Sequence, residues 1–213
     1  MRIHVLLEAG LPILAFLLLA GYHLRLLHRM RAAPETTALG VARRVRDVWV
    51  ELVMAERRDI LAVQTLRNWT MAATFLASTA MLIALGILSI AATSARALEV
   101  SRLLTFLEGA DARFTLIKLM AVAGVFLFAF FNFALAIRYY NHAAYQLALP
   151  AGRDPRVTPE TVARGLNQGG VHYTLGMRAY YLAVPLALWV FGPELLLGGA
   201  VVVLLALARQ DRP

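Results

Sequence analysis

Several histidine, arginine and amide side chains stand at the ends of apolar stretches, where they could converge on one ligand. His23 and His28 close the first stretch, and Arg67 and Asn68 open the second. Asn141 and His142 follow the third, while Asn167, Gln168, His172 and Arg178 precede the fourth. Imidazole ligates haem iron and transition metals, and guanidinium with amides holds phosphate or carbonyl oxygens. Topology alone brings these segments to a similar depth. His23, Arg67, Asn68, His142, Gln168, His172 and Arg178 are therefore the candidate ligand-binding set, for an anionic lipid headgroup, a quinone or haem. The competing reading is an interfacial belt in which the same side chains are simply hydrated. Haem is the weaker version, because only His23 comes close to lying within a span. His23 and His28 do not share a helical face either, since five residues turn through about 500°.

A second pair is Glu8 with Lys118, the only lysine. Each sits about five residues inside the outer end of its apolar stretch. Charges in hydrocarbon are expensive and pair or face water, so the two are expected to be neighbours, as a register-fixing ion pair or as a gate. Asn132, among the phenylalanines of the third stretch, is expected to make an interhelical hydrogen bond. Signatures of catalysis are missing: there is no nucleophile elbow, phosphate loop or helical zinc-site histidine pair. No catalytic residue and no metal ligand set is assigned, and no cofactor is predicted beyond the haem or quinone alternative.

These residues must be positioned by membrane-spanning helices. Hydrophobic residues make up 60% of the 213 and charged residues only 16%, a balance unlike that of a soluble domain. Apolar stretches near 20 residues match the hydrocarbon thickness. The reading is an all-α polytopic bundle, a single membrane domain over 1–213, with about five spans at 3–27, 69–92, 113–138, 177–191 and 194–208. The last two form a hairpin at Gly192-Pro193, which moves Glu194 out of the hydrocarbon. The first stretch carries Glu8 and has its basic cluster after it, so it reads as a retained span and not a cleaved signal. The chain contains no cysteine, which excludes disulfides, thiolate zinc sites and iron–sulfur clusters.

Two amphipathic helices are expected on the cytoplasmic side, at about 37–67 and 158–168. The first has Val41, Val45, Val48 and Leu52 at helical spacing with Trp49 beside them, and it is expected to lie on the membrane or against other cytoplasmic segments before running into the second span. Thr36 or Thr37 caps it, and Thr158-Pro159-Glu160 starts the other. Gly165, Gly169 and Gly170 predict a break before the fourth span. Ala73, Ala77, Ala80 and Ala84 form a small-residue packing seam. Of 20 arginines, 16 fall in regions 25–67, 138–178 and the tail, against four at positions 2, 96, 102 and 113. The positive-inside rule then puts the N-terminus outside and the C-terminus in the cytoplasm. The net charge of +8 is assigned to anionic lipid, not nucleic acid.

Two blocks carry a family resemblance. Val63-Gln64-Thr65-Leu66-Arg67-Asn68-Trp69-Thr70-Met71-Ala72-Ala73 and His172-Tyr173-Thr174-Leu175-Gly176-Met177-Arg178-Ala179-Tyr180-Tyr181, with Pro185, Trp189 and Gly192-Pro193, resemble the bacterial membrane family called domain of unknown function 599. The resemblance implies an integral bacterial membrane protein and supplies no activity. The leading functional expectation is a non-enzymatic inner-membrane protein, acting as a homo-oligomer or as an accessory or scaffold subunit of a larger complex. One alternative is a lipid-headgroup, quinone or haem site at the polar ring, and another is a small channel or carrier through Glu8 and Lys118.

Overall fold

The computed structural model describes residues 2–92, 112–150 and 152–212, with the side chains of residues 2–9, 59, 112 and 113 left outside the description. All regular structure among them is helical: α1 (Arg2–Ala32), a 3-10 turn (Pro34–Thr36), α2 (Ala38–Glu56), α3 (Asp59–Ala92), α4 (Ala112–Leu147), α5 (Pro159–Trp189) and α6 (Pro193–Gln210). Four of these contain stretches long and apolar enough to cross a membrane: Gly10–Ala32, Ile60–Ala92, Phe114–Leu147 and Pro193–Gln210. The chain is thus a multi-pass helical membrane bundle. Helices follow one another as neighbours, α3 on α4, α4 on α5, α5 on α6 and α6 on α1, with α2 laid along α5.

The span expected at 177–191 is not among those four. It is the second half of α5, which runs unbroken from Pro159 and is about 46 Å long at 1.5 Å per residue. This half runs antiparallel to α6 over nearly its full length, since Arg178 meets Asp211 while Leu188 and Pro185 flank Gly199. Its polar residues are tolerated because neighbouring helices enclose it, and Arg178, Ala179, Ala183, Pro185 and Leu186 are all buried. The break expected at the glycines does not occur. Gly169 and Gly176 serve close packing: a Cβ would come within 2.6 Å of the Tyr140 ring at Gly169, and within 2.7 Å of the Phe133 ring at Gly176.

The first amphipathic segment also differs from expectation. It is two helices, not one, because Arg57 adopts the left-handed conformation at φ 50°. The N–H groups of Arg57 and Arg58 both donate to the Val53 carbonyl, the paired ending that usually employs glycine. What holds a β-carbon there is the packing on both sides of the turn, with Val50 and Val53 of α2 in one cluster with Ala62 and Leu66 of α3. The caps are as expected: Thr37 accepts from the Gly40 N–H, and Thr158 and Thr161 form a reciprocal capping box with Pro159 at the first position.

Three apolar clusters hold the bundle. At the basic end, Val50 and Val53 meet Leu66, Tyr140, Leu147 and Leu166. In the middle, Ala73, Ala77 and Ala80 pack on Ala129, Phe133 and Ala179, so the alanine seam of α3 is used within the chain. Toward the other end, Ala15 and Leu19 of α1 pack on Leu196 and Ala200 of α6. Two substitutions test these contacts by thermal unfolding in detergent. Gly176→Val should cost about 1–3 kcal/mol by forcing Phe133 aside. Arg57→Gly should gain roughly 1 kcal/mol by relieving a left-handed residue that carries a β-carbon.

Candidate functional site

The polar ring predicted from sequence does not form one pocket. Arg67, Asn68, His142 and Gln168 are exposed, as is His28. His172 is half-buried and is held elsewhere: its Nδ1 donates to Asn132 Oδ1 at 3.0 Å, while Asn132 Nδ2 donates to the Phe128 carbonyl. The imidazole also stacks on Tyr139, with ring centroids 5.6 Å apart. Asn132 thus makes the interhelical bond expected of it, from α4 to α5. Lys118 places its ammonium 5.6 Å from the centre of the Trp189 ring; its pairing with Glu8 lies outside the described side chains. Among the described residues no three His, Asp or Glu side chains gather as a metal-ligating group.

His23 and Arg178 converge on a different feature. Arg178 Nη2 and Asp211 Oδ1 are 2.5 Å apart, and the Tyr22 hydroxyl donates to Asp211 Oδ2 at 2.5 Å. Arg178 is 8% exposed and Asp211 9%, so both charges are withdrawn from solvent and pair because neither could be buried alone. The Asp211 carbonyl accepts from the Ala38 N–H at 3.2 Å. This knot joins α1, α2, α5 and the end of α6. The His23 ring lies edge-on to Tyr22 and donates from Nδ1 to the Leu19 carbonyl. His23 Nε2 and Arg178 Nη1 are buried without a hydrogen-bond partner among the described residues.

The cavity that could hold a ligand lies higher on α5, between α2, α3, α4 and α5. Its volume is about 270 Å³, and the Arg46 guanidinium faces it together with Trp69, Tyr140, Tyr173 and Thr174. No carboxylate lines it among the described residues. Trp69 and Tyr140 have ring centroids 5.6 Å apart, and Trp49 stands behind Trp69 at 6.2 Å. Gly170 is the floor: a Cβ there would lie 3.1 Å from Arg46 Cζ, so glycine lets the guanidinium rest against the helix backbone.

Arg46 is aimed by a short relay. Its Nε donates to Asn167 Oδ1 at 2.8 Å, and Asn167 Nδ2 donates to Asp47 Oδ1 at 2.6 Å. The terminal nitrogens Nη1 and Nη2 take no hydrogen-bond acceptor among the described residues. They form the planar fork that binds an oxyanion through two parallel bonds. Burial pushes the Arg46 pKa down from its ordinary value, with Tyr140 and Asp47 opposing that shift. A guanidinium still remains charged. The result is a cation in a cavity lined by three aromatic rings, with both terminal nitrogens free of acceptors among the described residues.

Arg46 has no part in the expectation from sequence, where the Val41, Val45, Val48 and Leu52 stripe is the face of α2 that meets the membrane or other cytoplasmic segments. The packed face is the opposite one, and Arg46, Val50 and Val53 share it at i, i+4 and i+7. That spacing was the available signal. The knot makes its own prediction. Asp211→Ala, which leaves the Arg178 charge buried alone, should lower stability by about 3–5 kcal/mol. Arg178→Met with Asp211→Leu should recover most of that loss in the same thermal melt.

A family model described as Protein of unknown function, DUF599, matches residues 11–213. No curated relative matches the chain, and no solved structure does.

Proposed function

The chain belongs to the DUF599 family of proteins of unknown function, and we propose that it binds a phosphate-type oxyanion, as carried by a phospholipid headgroup, in the Arg46 cavity. The observation that carries this reading is the free guanidinium fork of Arg46 in a cavity walled by Trp69, Tyr140 and Tyr173. The fork supplies bidentate donors for an oxyanion, and the rings supply an apolar wall for the glycerol or chain that such a group carries.

The setting is the bacterial inner membrane, with the N-terminus outside and the basic end in the cytoplasm. The arginine distribution supports that orientation, 16 of 20 lying in the regions assigned to the cytoplasm. A homo-oligomeric or accessory-subunit role draws less support, because the alanine seam that would have served another chain is filled by α4 and α5 of the same chain.

Native mass spectrometry after gentle detergent extraction tests the reading. The wild-type protein should retain phospholipid, and Arg46→Gln should weaken retention by roughly 10- to 100-fold, the loss of about 1.5–3 kcal/mol carried by a hydrogen-bonded charge. Arg46→Lys should fall between them, since it keeps the charge and loses the fork. Displacement by inorganic phosphate would identify a free anion as the ligand, and displacement by phosphatidylglycerol alone would identify a lipid. Equal retention by wild type and Arg46→Gln, with both folded by circular dichroism, would overturn the reading.

A further inference from the structure

The register of α2 against α5 determines how α2 stands relative to the bilayer. Ala38 is tied to Asp211, which holds Arg178; Arg46 is tied to Asn167; Val50 and Val53 cluster with Val162 and Leu166. Moving forward along α2 therefore moves backward along α5, from the level of residue 178 to that of residue 162. The two tryptophans mark a depth on this scale. Trp49 stands 6.2 Å from Trp69, and Trp69 lies 5.6 Å from Tyr140 and shares the cavity with Tyr173. Indole and phenol rings gather at the headgroup level of a bilayer. From Tyr173 to Arg178 is five residues, about 8 Å of helix toward the membrane interior. The first turn of α2 lies within that interval, and the rest of its N-terminal half stands between there and Trp49, with Val45 about 6 Å and Val48 about 1.5 Å to the membrane side of Trp49.

This half carries an apolar face left exposed by the described residues. Val45 is 61% exposed and Val48 57%, and Val41 is exposed beside them. At 100° per residue these side chains lie opposite Arg46, Val50 and Val53, which face the bundle. Arg43 and Arg44 are exposed at the same depth. The only acid of that half is Asp47, which is bonded to Asn167.

We infer that the N-terminal half of α2 is sunk into the headgroup layer of the bilayer at the basic end, with Val41, Val45 and Val48 against lipid and Arg43 and Arg44 on anionic headgroups. Valines at that depth meet acyl chains, and the arginine stems reach out from among them to phosphate. The occupant of this face is an anionic lipid surface. Ile60 provides the contrast. It is 79% exposed but stands nine residues before Trp69, about 14 Å out on the water side.

Because the chain contains no cysteine, single cysteines placed at Val45, Val48 and Ile60 can each carry the only spin label. In nanodiscs of phosphatidylethanolamine and phosphatidylglycerol, labels at Val45 and Val48 should collide preferentially with oxygen, and a label at Ile60 with a water-soluble nickel chelate. A label at Val45 as accessible to nickel as that at Ile60 would overturn the inference. So would strong label–label dipolar coupling between chains at Val45, which would mean that a second copy covers the stripe, whose 4-3-4 spacing also suits a helix pair. Low accessibility of Val45 to both reagents would overturn it too. None of these outcomes depends on whether Arg46 binds a ligand.

Discussion

Asp211 holds the arrangement of helices together. Its carboxylate accepts from Arg178 and from the Tyr22 hydroxyl, and its carbonyl accepts from the Ala38 N–H. One residue just past α6 thus ties α1, α2 and α5. Water is largely excluded from this point, so the arginine and the aspartate stabilise each other's burial, and neither can leave without stranding the other. The consequences spread outward. α1 packs on the bundle chiefly through α6, and the Tyr22 bond sets its height. The start of α2 is pinned to the level of Arg178, and that register brings Arg46 opposite Gly170 about two turns along.

The second constraint is the slimness of α5. Gly169 and Gly176 admit the rings of Tyr140 and Phe133, and Gly170 admits the guanidinium of Arg46. Helix α5 can then be enclosed by α2, α4 and α6 at close range while staying continuous for 31 residues. The cavity follows from that fit: the guanidinium rests on a bare backbone, aromatic rings stand around it, and Asn167 with Asp47 fixes its angle before any ligand arrives. A cation oriented in advance loses little freedom on binding, which is where the specificity of such a site comes from. The cavity and the exposed valine stripe of α2 lie on opposite faces of one helix of 19 residues.

Much of this architecture was legible in the residues. The apolar stretches, the Thr37 and Thr158 caps, the turn at Gly192-Pro193 and the bond from Asn132 to another helix all follow from local chemistry. Three features were not. The turn at Arg57 has no glycine or proline to announce it, because clusters on both sides of it impose the left-handed residue. The glycines of α5 read as helix breakers, since their value in close packing depends on rings from another helix. Arg46 lies off the Val41 to Leu52 stripe that helical spacing marks, and which other face of α2 the bundle covers depends on α5.

Membrane helices are legible one segment at a time for a physical reason. A spanning stretch must satisfy its backbone hydrogen bonds within itself and present apolar side chains to lipid, so its own composition carries the message. Arginine asymmetry is a similar sum over segments. The knot and the cavity have no such local statement. Tyr22 and Asp211 are 189 residues apart, and Arg46 and Asn167 are 121 apart; which polar groups meet depends on helix register and on clearances of tenths of an ångström at glycine. The histidines and arginines that composition gathers at one boundary are therefore sorted by packing into three fates: a structural knot at Arg178, a braced ring at His172, and exposed side chains at Arg67 and His142. The guanidinium left facing the cavity belongs to Arg46, a residue that composition had given no reason to prefer.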